Sequence, residues 1–261
     1  MPSAMHAVHP AVAYVGAATP GTRIAKLITD FPIMQRHRKP GEYLFRAGDD
    51  FQCLHVLQTG FVKTRFVHED GDEQTIGFHL RGDILGLDAV ATRSYGWDAI
   101  AIDDCEVLTI PYDAVITHSQ SNTDMTIELH RAFSAEIRRD RDLMLNQNRL
   151  LAEGRVAAFL LEMSHRFASR GFSATEIQLR LTREEIGSML GLKLETVSRA
   201  FSRFAKLELI SVYLRNIVLL DRDGLLDIIA EQAGLDRTCR KSKGPPCQAN
   251  AAAGDDRGAR N

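Results

Sequence analysis

From residue 122 to 152 the chain has no glycine or proline, and a seven-residue rhythm runs through His130, Phe133, Ile137, Asp140, Met144, Gln147 and Leu151. That spacing, with an apolar majority, predicts one long helix whose seam a second copy would cover. A single amphipathic helix lying on its own domain satisfies the same pattern. Before it the pattern changes. Eight glycines between Gly41 and Gly96 separate short apolar runs such as 54–57, 61–67 and 84–87. Short strands between glycine turns predict an antiparallel β-roll or jelly roll, with strand character as far as Pro111. Residues 24–38 are expected to hold a short helix, and 155–169 another.

Residues 182–207 show helical periodicity twice, around a tight turn. Thr182 with Glu185 three residues on forms a capping box. Ile186, Met189 and Leu190 then share one face, and Gly191 is placed to end the helix in the left-handed region. Val197, Phe201, Phe204 and Leu207 recur at helical spacing as the buried side of a second helix. Glu195, Ser198 and Arg199 lie off that stripe in its first turns. An Arg can hold guanine O6 and N7 together, a Glu can accept from cytosine N4, and a Ser can bond base or phosphate. Arg183, Lys193, Thr196, Arg203 and Lys206 are the candidate phosphate contacts. The segment therefore predicts a helix-turn-helix, against the alternative of an ordinary helical hairpin with charged outer faces. Beyond it, 209–212 and 217–220 flank residues 213–216 and resemble the hairpin of a wing.

The expected fold is α+β in five parts: a mobile N-terminus over 1–23, a β-roll over 24–121, a dimerisation helix over 122–152, a winged helix-turn-helix over 153–236, and a disordered polar tail over 237–261.

Composition narrows the function. The 261 residues are 44% hydrophobic and carry a net charge of -2, so this is no broadly basic nucleic-acid coat. A sequence-specific reader can concentrate its positive charge in one module, and residues 182–207 hold five Lys/Arg against three Glu. No apolar run reaches the length that spans a bilayer, and no signal peptide is evident, so the expected location is the cytoplasm. The scattered Cys53, Cys105, Cys239 and Cys247 do not suggest a disulfide framework. Cys53 and Cys105 are expected to be buried structural thiols, Cys239 and Cys247 bland tail thiols, and His6 and His9 side chains of a loose terminus. There is no nucleophile–base motif, metal-ligand set or phosphate-binding loop, so an enzyme is not expected.

The helix-turn-helix resembles that of the CRP/FNR superfamily of bacterial transcription regulators, and in particular its FNR branch. The resemblance runs through GDEQTIGFHLRGDILGLDA (71–89), RVAAFLL (155–161) and RFASRGFS (166–173), and covers roughly residues 24–234. It implies a β-roll sensor domain and a dimer. It also implies base reading by Glu195, Ser198 and Arg199, with Leu194 where CRP-type proteins have a further base-contacting Arg. The half-site implied is of the TTGAT kind, and two of them one DNA turn apart give TTGAT-N4-ATCAA. Lys193 departs from the family, which usually has a capping Ser or Thr there. The resemblance places Phe133, Ile137, Asp140, Met144 and Leu151 in the dimer interface. Two facing Asp140 carboxylates would repel by about 1 kcal/mol if partly solvated, implying a tunable monomer–dimer equilibrium, unless the partner's Arg139 or Arg141 neutralises them. The turn from His68 through Gly71 to Asp72 matches the loop that FNR-like activators present to RNA polymerase, and is also what a solvated hairpin turn looks like.

For the signal, the resemblance mostly excludes. CRP-type proteins hold cyclic AMP with a Glu and an Arg-Ser pair. The matching places here are Leu87 and Tyr95-Gly96, so no cyclic AMP is expected. FNR itself holds a [4Fe–4S] cluster on an N-terminal cysteine cluster and one β-roll cysteine. This chain has no cysteine before Cys53, and Leu108 stands at the β-roll ligand position with Cys105 three residues away. An iron–sulfur cluster is therefore not expected. In this the chain resembles the FixK- and DNR-type members that lack those cysteines. Haem or nitric oxide is left open as a ligand, and the remaining alternative is an oxygen-labile iron–sulfur cluster on unusual ligands.

Overall fold

The computed structural model describes Ile24 and residues 33–233. The expected N-terminal and C-terminal segments, with His6, His9, Cys239 and Cys247, lie outside the described residues. Strands β1 (Met34–Arg38), β2 (Tyr43–Phe45), β3 (Cys53–Thr59), β4 (Val62–Val67), β5 (Glu73–His79), β6 (Ile84–Leu85), β7 (Asp98–Ala101) and β8 (Cys105–Pro111) come first. Then follow helices α1 (Tyr112–Ser121), α2 (Thr123–Arg149) and α3 (Ala152–Ala168), and strand β9 (Glu176–Gln178). Helices α4 (Arg183–Leu190) and α5 (Leu194–Lys206), strands β10 (Ile210–Tyr213) and β11 (Asn216–Leu219), and helix α6 (Arg222–Gln232) complete the order.

The first eight strands form two four-stranded antiparallel sheets, in the orders β1-β8-β3-β6 and β2-β7-β4-β5. Their inner faces bury Leu54, Val56, Leu57, Val62, Val107 and Ile110. The same core continues onto Met125, Leu129 and Ala132 of α2. The first half of the long helix thus belongs to the β-roll, as period-2 strands offering one apolar face to a helix require. A second core joins α3, α4, α5, α6 and the small sheet β10-β11-β9. It also takes in Phe78 and Leu80, beside the end of β5, so the two cores meet across one seam.

Three expectations change. Residues 34–38 are a strand and not the end of a helix: Met34 to Arg38 pair with Thr109 to Cys105. The segment lacks β-branched residues, but β8 offers an open ladder, and tertiary pairing outweighs local propensity. The long helix spans 123–149, capped by the Asn122 side chain on the Met125 N–H, and stops before Leu151. A third strand, β9, pairs with the wing through Ile217 and Ile177.

Two histidines are sealed in the β-roll. His55 lies between the Thr109 and Tyr95 hydroxyls at 3.2 Å each, and His79 Nε2 lies 3.2 Å from Thr64 Oγ1. Burial is the largest influence on both, pushing His55 down to about 4 and His79 to about 3. Each stays neutral in the fold, whereas the unfolded chain takes up a proton near pH 6.5. The stability is therefore present above pH 6.5 and is lost as pH falls toward 4 and 3. On the order of 2 kcal/mol per histidine should be gone at pH 5. Urea midpoints at pH 7.5 and 5 would show it. His79→Gln should remove roughly half the pH dependence, and a midpoint that ignores pH over this range would refute the assignment.

Candidate nucleic-acid interface

The helix-turn-helix forms for the reasons its sequence indicates. Thr182 Oγ1 accepts from the Glu185 N–H at 3.1 Å, and Glu185 Oε2 accepts from the Thr182 N–H at 2.7 Å, closing the capping box. Gly191 ends α4 at φ 64. Gly187 is equally required. A Cβ there would meet the Leu192 carbonyl oxygen at 2.5 Å, so the turn can fold back on α4 only over a glycine.

Helix α5 buries Val197, Ala200, Phe201 and Phe204. On its other side Glu195 and Arg199 are exposed and Ser198 is half-exposed. Positions 195, 198 and 199 are spaced three and four apart and share one face. Leu207 does not belong to the buried stripe. The helix ends at Lys206, and Leu207, its C-cap, is 51% exposed. Lys193 occupies the N-cap with no side-chain cap bond, and Thr196 is half-buried one turn in.

The candidate phosphate contacts divide. Lys193 and Lys206 are exposed at the two ends of α5. Arg183 is committed elsewhere, with its guanidinium 3.4 Å over the Phe201 ring. There burial lowers its pKa, and it stacks on the recognition helix from behind. Arg203 is salt-bridged to Glu153 of α3 and is still exposed. The wing carries what the sequence reading passed over. Leu214 turns the hairpin at φ 54 and is 81% exposed beside exposed Tyr213 and Arg215.

The predicted dimer seam is partly used inside the chain. Phe133 packs on the β-roll core, and Gln147 donates to the Met189 carbonyl at 3.0 Å. Leu151 is exposed but lies past the helix, as the N-cap of α3. Ile137, at 51% exposure, and Met144, at 62%, stay uncovered on either side of exposed Asp140. Burial raises the pKa of Asp140, against the pull of Arg139.

The turn from His68 to Asp72 is exposed and closed by its own backbone. The His68 N–H donates to Asp72 at 2.8 Å, and the Gly71 N–H to His68 at 2.9 Å.

In the β-roll, Leu87 is buried, and Tyr95 stacks on Phe45 at 3.9 Å while donating to the Cys53 carbonyl at 2.6 Å. A cavity of about 500 Å³ between the β-roll, α2 and α3 is lined by Asp88, Glu136, Asp140 and Trp97 among others. Burial raises the carboxyl pKa of Asp88 and Glu136, and Asp140 raises both further. Cys105 is buried, with its thiol pushed up to about 11 by burial and by Asp103. Cys53 is only half-buried, a departure from the expected buried thiol, and burial raises its pKa too. Among the described residues no group of three or more His, Cys, Asp and Glu is arranged to hold a metal ion. Nor, among them, is any helix long and apolar enough to cross a membrane.

The caps make a stability prediction. Thr182→Ala should cost about 1 kcal/mol, and Lys193→Ser, which supplies the missing cap on α5, should add about 0.5–1 kcal/mol. Denaturant melts of the two variants would check both signs, and a destabilised Lys193→Ser would sink the capping argument.

Two family profiles match the chain: a cyclic nucleotide-binding domain over residues 35–122 and a Crp-like helix-turn-helix domain over 154–228. The fumarate and nitrate reduction regulatory protein of Yersinia pestis is 38% identical over 188 residues, covering 72% of this chain and 75% of that protein. The transcriptional activator protein Anr of Pseudomonas protegens is 39% identical over 191 residues, covering 72% and 78%. Among solved structures, FixK2 from Bradyrhizobium japonicum superposes with a TM-score of 0.69 at 30% identity, over 76% of this chain and 98% of that one. With the exposed face of α5 on a capped helix-turn-helix and the β-roll before it, the chain belongs to the CRP/FNR family of DNA-binding transcription regulators, which are not enzymes.

Proposed function

We propose that this regulator acts as a cytoplasmic homodimer that reads an FNR-like palindrome of the TTGAT-N4-ATCAA type and controls anaerobic, nitrogen-oxide or redox-linked genes. The observation that carries the DNA reading is the solvent-facing trio Glu195, Ser198 and Arg199 on a helix whose opposite face is buried. Arg199 takes the guanine of each half-site, Glu195 the cytosine amine opposite it, and Ser198 a neighbouring base. Lys193, Thr196, Arg203 and Lys206 serve phosphates. Arg183 supports the helix through Phe201 instead. The similarity to proteins named for fumarate and nitrate reduction, and to the activator Anr, supports the choice of genes and an activating role. In that role the turn from His68 to Asp72 meets RNA polymerase.

The cyclic-nucleotide-binding-like domain does not fit a cyclic nucleotide. Leu87 and Tyr95-Gly96 stand where CRP-type proteins carry the Glu and the Arg-Ser pair, and both Leu87 and Tyr95 are buried. An iron–sulfur cluster does not fit the described cysteines either. Cys105 gives its thiol hydrogen bonds to Phe61 and Asp103, six residues along β8 from Pro111, the register partner of Cys53. The buried imidazole of His55 is engaged on both nitrogens by Thr109 and Tyr95, and His79 is engaged by Thr64 through Nε2 only.

The dimer closes over Ile137, Met144 and Leu151, with Asp140 facing its copy. Each carboxyl is already raised by burial in one chain, and a second charge opposite raises it further. Association then takes up protons and tightens as pH falls from neutral toward the carboxylate range. Asp140→Ala should strengthen the dimer by on the order of fivefold, from about 1 kcal/mol of relieved repulsion, and abolish this pH dependence. Sedimentation equilibrium at pH 7.5 and 5.5 decides it, and an unchanged dimer constant in the variant rules the repulsion out.

The base reading is tested by fluorescence anisotropy of air-exposed, chelator-treated protein on TTGAT-N4-ATCAA and on a duplex altered at the guanine of each half-site. Arg199→Ala should lose 1–3 kcal/mol per half-site, roughly 5- to 150-fold, and with it the discrimination at that base. Equal affinity of wild type for both duplexes would overturn the proposed site.

A further inference from the structure

Three bodies meet at one buried carboxylate. Asp83 stands in the turn between β5 and β6 and is 4% exposed. Its Oδ2 accepts from the Leu80 N–H at 2.8 Å and from Arg166 Nη2 at 2.7 Å. Its Oδ1 accepts from Arg170 and lies 3.8 Å from Arg139. Arg166 and Arg170 sit on and just past α3, and Arg139 is on α2. Arg166 also donates to the Phe78 carbonyl at 2.7 Å, and Arg170 to the Arg81 carbonyl at 2.7 Å. One carboxylate thus joins the β-roll, the long helix and the first helix of the DNA-binding domain.

A second contact lies along β5. This is the edge strand of its sheet, and its pairing with β4 shifts register between Thr64 and Arg65, leaving Ile76 as an extra residue. A bulge re-aims the backbone and interrupts the ladder. Next to it the Thr75 N–H donates at 2.8 Å to Ser188 Oγ of α4, the first helix of the helix-turn-helix. Lys63 of β4 pairs with Glu185, the residue that closes the capping box of α4. Helix α4 therefore covers an open sheet edge, with its cap tied to the β-roll.

Resting on the dimer reading above, we propose that Asp83 is a positioning residue for DNA recognition. With the β5–α4 contact it fixes the helix-turn-helix directly on the sensor domain, and so sets the distance between the two recognition helices of the dimer. The connection from α2 to α3 through Leu150 and Leu151 could by itself pivot. Two contacts on separate helices of the DNA-binding domain remove that freedom. In this arrangement the β-roll speaks to the DNA-binding domain through its own strand edge as well as through the long helix.

The test uses the full chain and Asp83→Asn, which keeps the volume and removes the charge. The first readout needs no DNA. Hydrogen exchange at the Thr75 amide, whose partner is Ser188 and not Asp83, should speed up at least about tenfold in the variant, because undocking opens both contacts together. The second is affinity across duplexes whose half-sites are separated by three to six base pairs. Wild type should prefer one spacing by at least about tenfold, and the variant should fall within about threefold across the set. A folded Asp83→Asn that keeps wild-type Thr75 exchange and wild-type spacing preference would overturn the proposal. If Asp83→Asn does not fold, the Lys63→Met, Ser188→Ala double variant carries the test. The amide followed is then Leu80, which bonds Asp83, and the same loss of spacing preference is expected. Should wild type bind none of the duplexes, the reading of the DNA site fails, while the exchange data still decide whether the domains are coupled.

Discussion

A carboxylate removed from water is costly, and Asp83 is removed almost completely. Desolvation alone would raise its pKa. Arg170, Arg166 and Arg139, in that order of influence, outweigh it and hold the group far below the usual carboxylate range. A buried ion pair offsets its desolvation only when the geometry is tight and the remaining lone pairs are filled. Here the filling groups come from three different elements. The same charge balance that keeps Asp83 ionised therefore dictates where α2 and α3 lie against the β-roll. Phe78 and Leu80, just before the turn, are drawn into the core of the DNA-binding domain, and Phe61 stacks on Phe78 at 5.5 Å beside Phe167. The polar hub and the apolar seam are parts of one junction.

From that junction the recognition surface follows. Helix α5 can present Glu195, Ser198 and Arg199 only because Val197, Ala200, Phe201 and Phe204 fill the space against the rest of the domain. Its position also depends on a turn that tolerates no side chain at residue 187. The positive charge at this surface is modest. Arg183 is spent on an aromatic face, and Arg203 is exposed but paired with Glu153, beside the exposed Lys193, Arg199, Lys206 and Arg215. A chain with net charge -2 cannot depend on bulk attraction to phosphate. On the proposed dimer, discrimination comes from base edges and from the spacing of the two recognition helices.

The β-roll has the architecture of a cyclic nucleotide-binding domain, with Phe45 and Tyr95 stacked and Leu87 buried inside it. In the adjoining cavity burial raises the pKa of Asp88 and Glu136, and Asp140 raises both further. Glu136 and Asp140 stand on α2 itself, so the charge state of the seam and that of the cavity are linked through Asp140.

Much of this was legible in the chain. The caps of α4, the buried stripe of α5, the wing hairpin, the β-roll and the long helix all rest on interactions a few residues apart or on simple periods, which sequence carries directly. The trio at 195, 198 and 199 was legible for the same reason, since it is the complement of the buried stripe. Where the reading failed, a distant partner decided. The strand at 34–38 exists because β8 lies open beside it, and Leu207 leaves the stripe because the helix ends one residue earlier. That Arg183 stacks on Phe201 and Arg203 pairs with Glu153 was not legible either. Asp83 and its arginines, 56 to 87 positions apart in the chain, show the same limit most clearly. Arg166 and Arg170 four apart on one face hinted at a shared partner, but no local pattern names it. By itself, then, the sequence determined the elements, the solvent-facing side of α5 and the family, because these depend on short-range spacing. Tertiary structure alone decided which charges are free and how the two domains are joined, because a charge's role depends on what folding brings within a few ångströms of it.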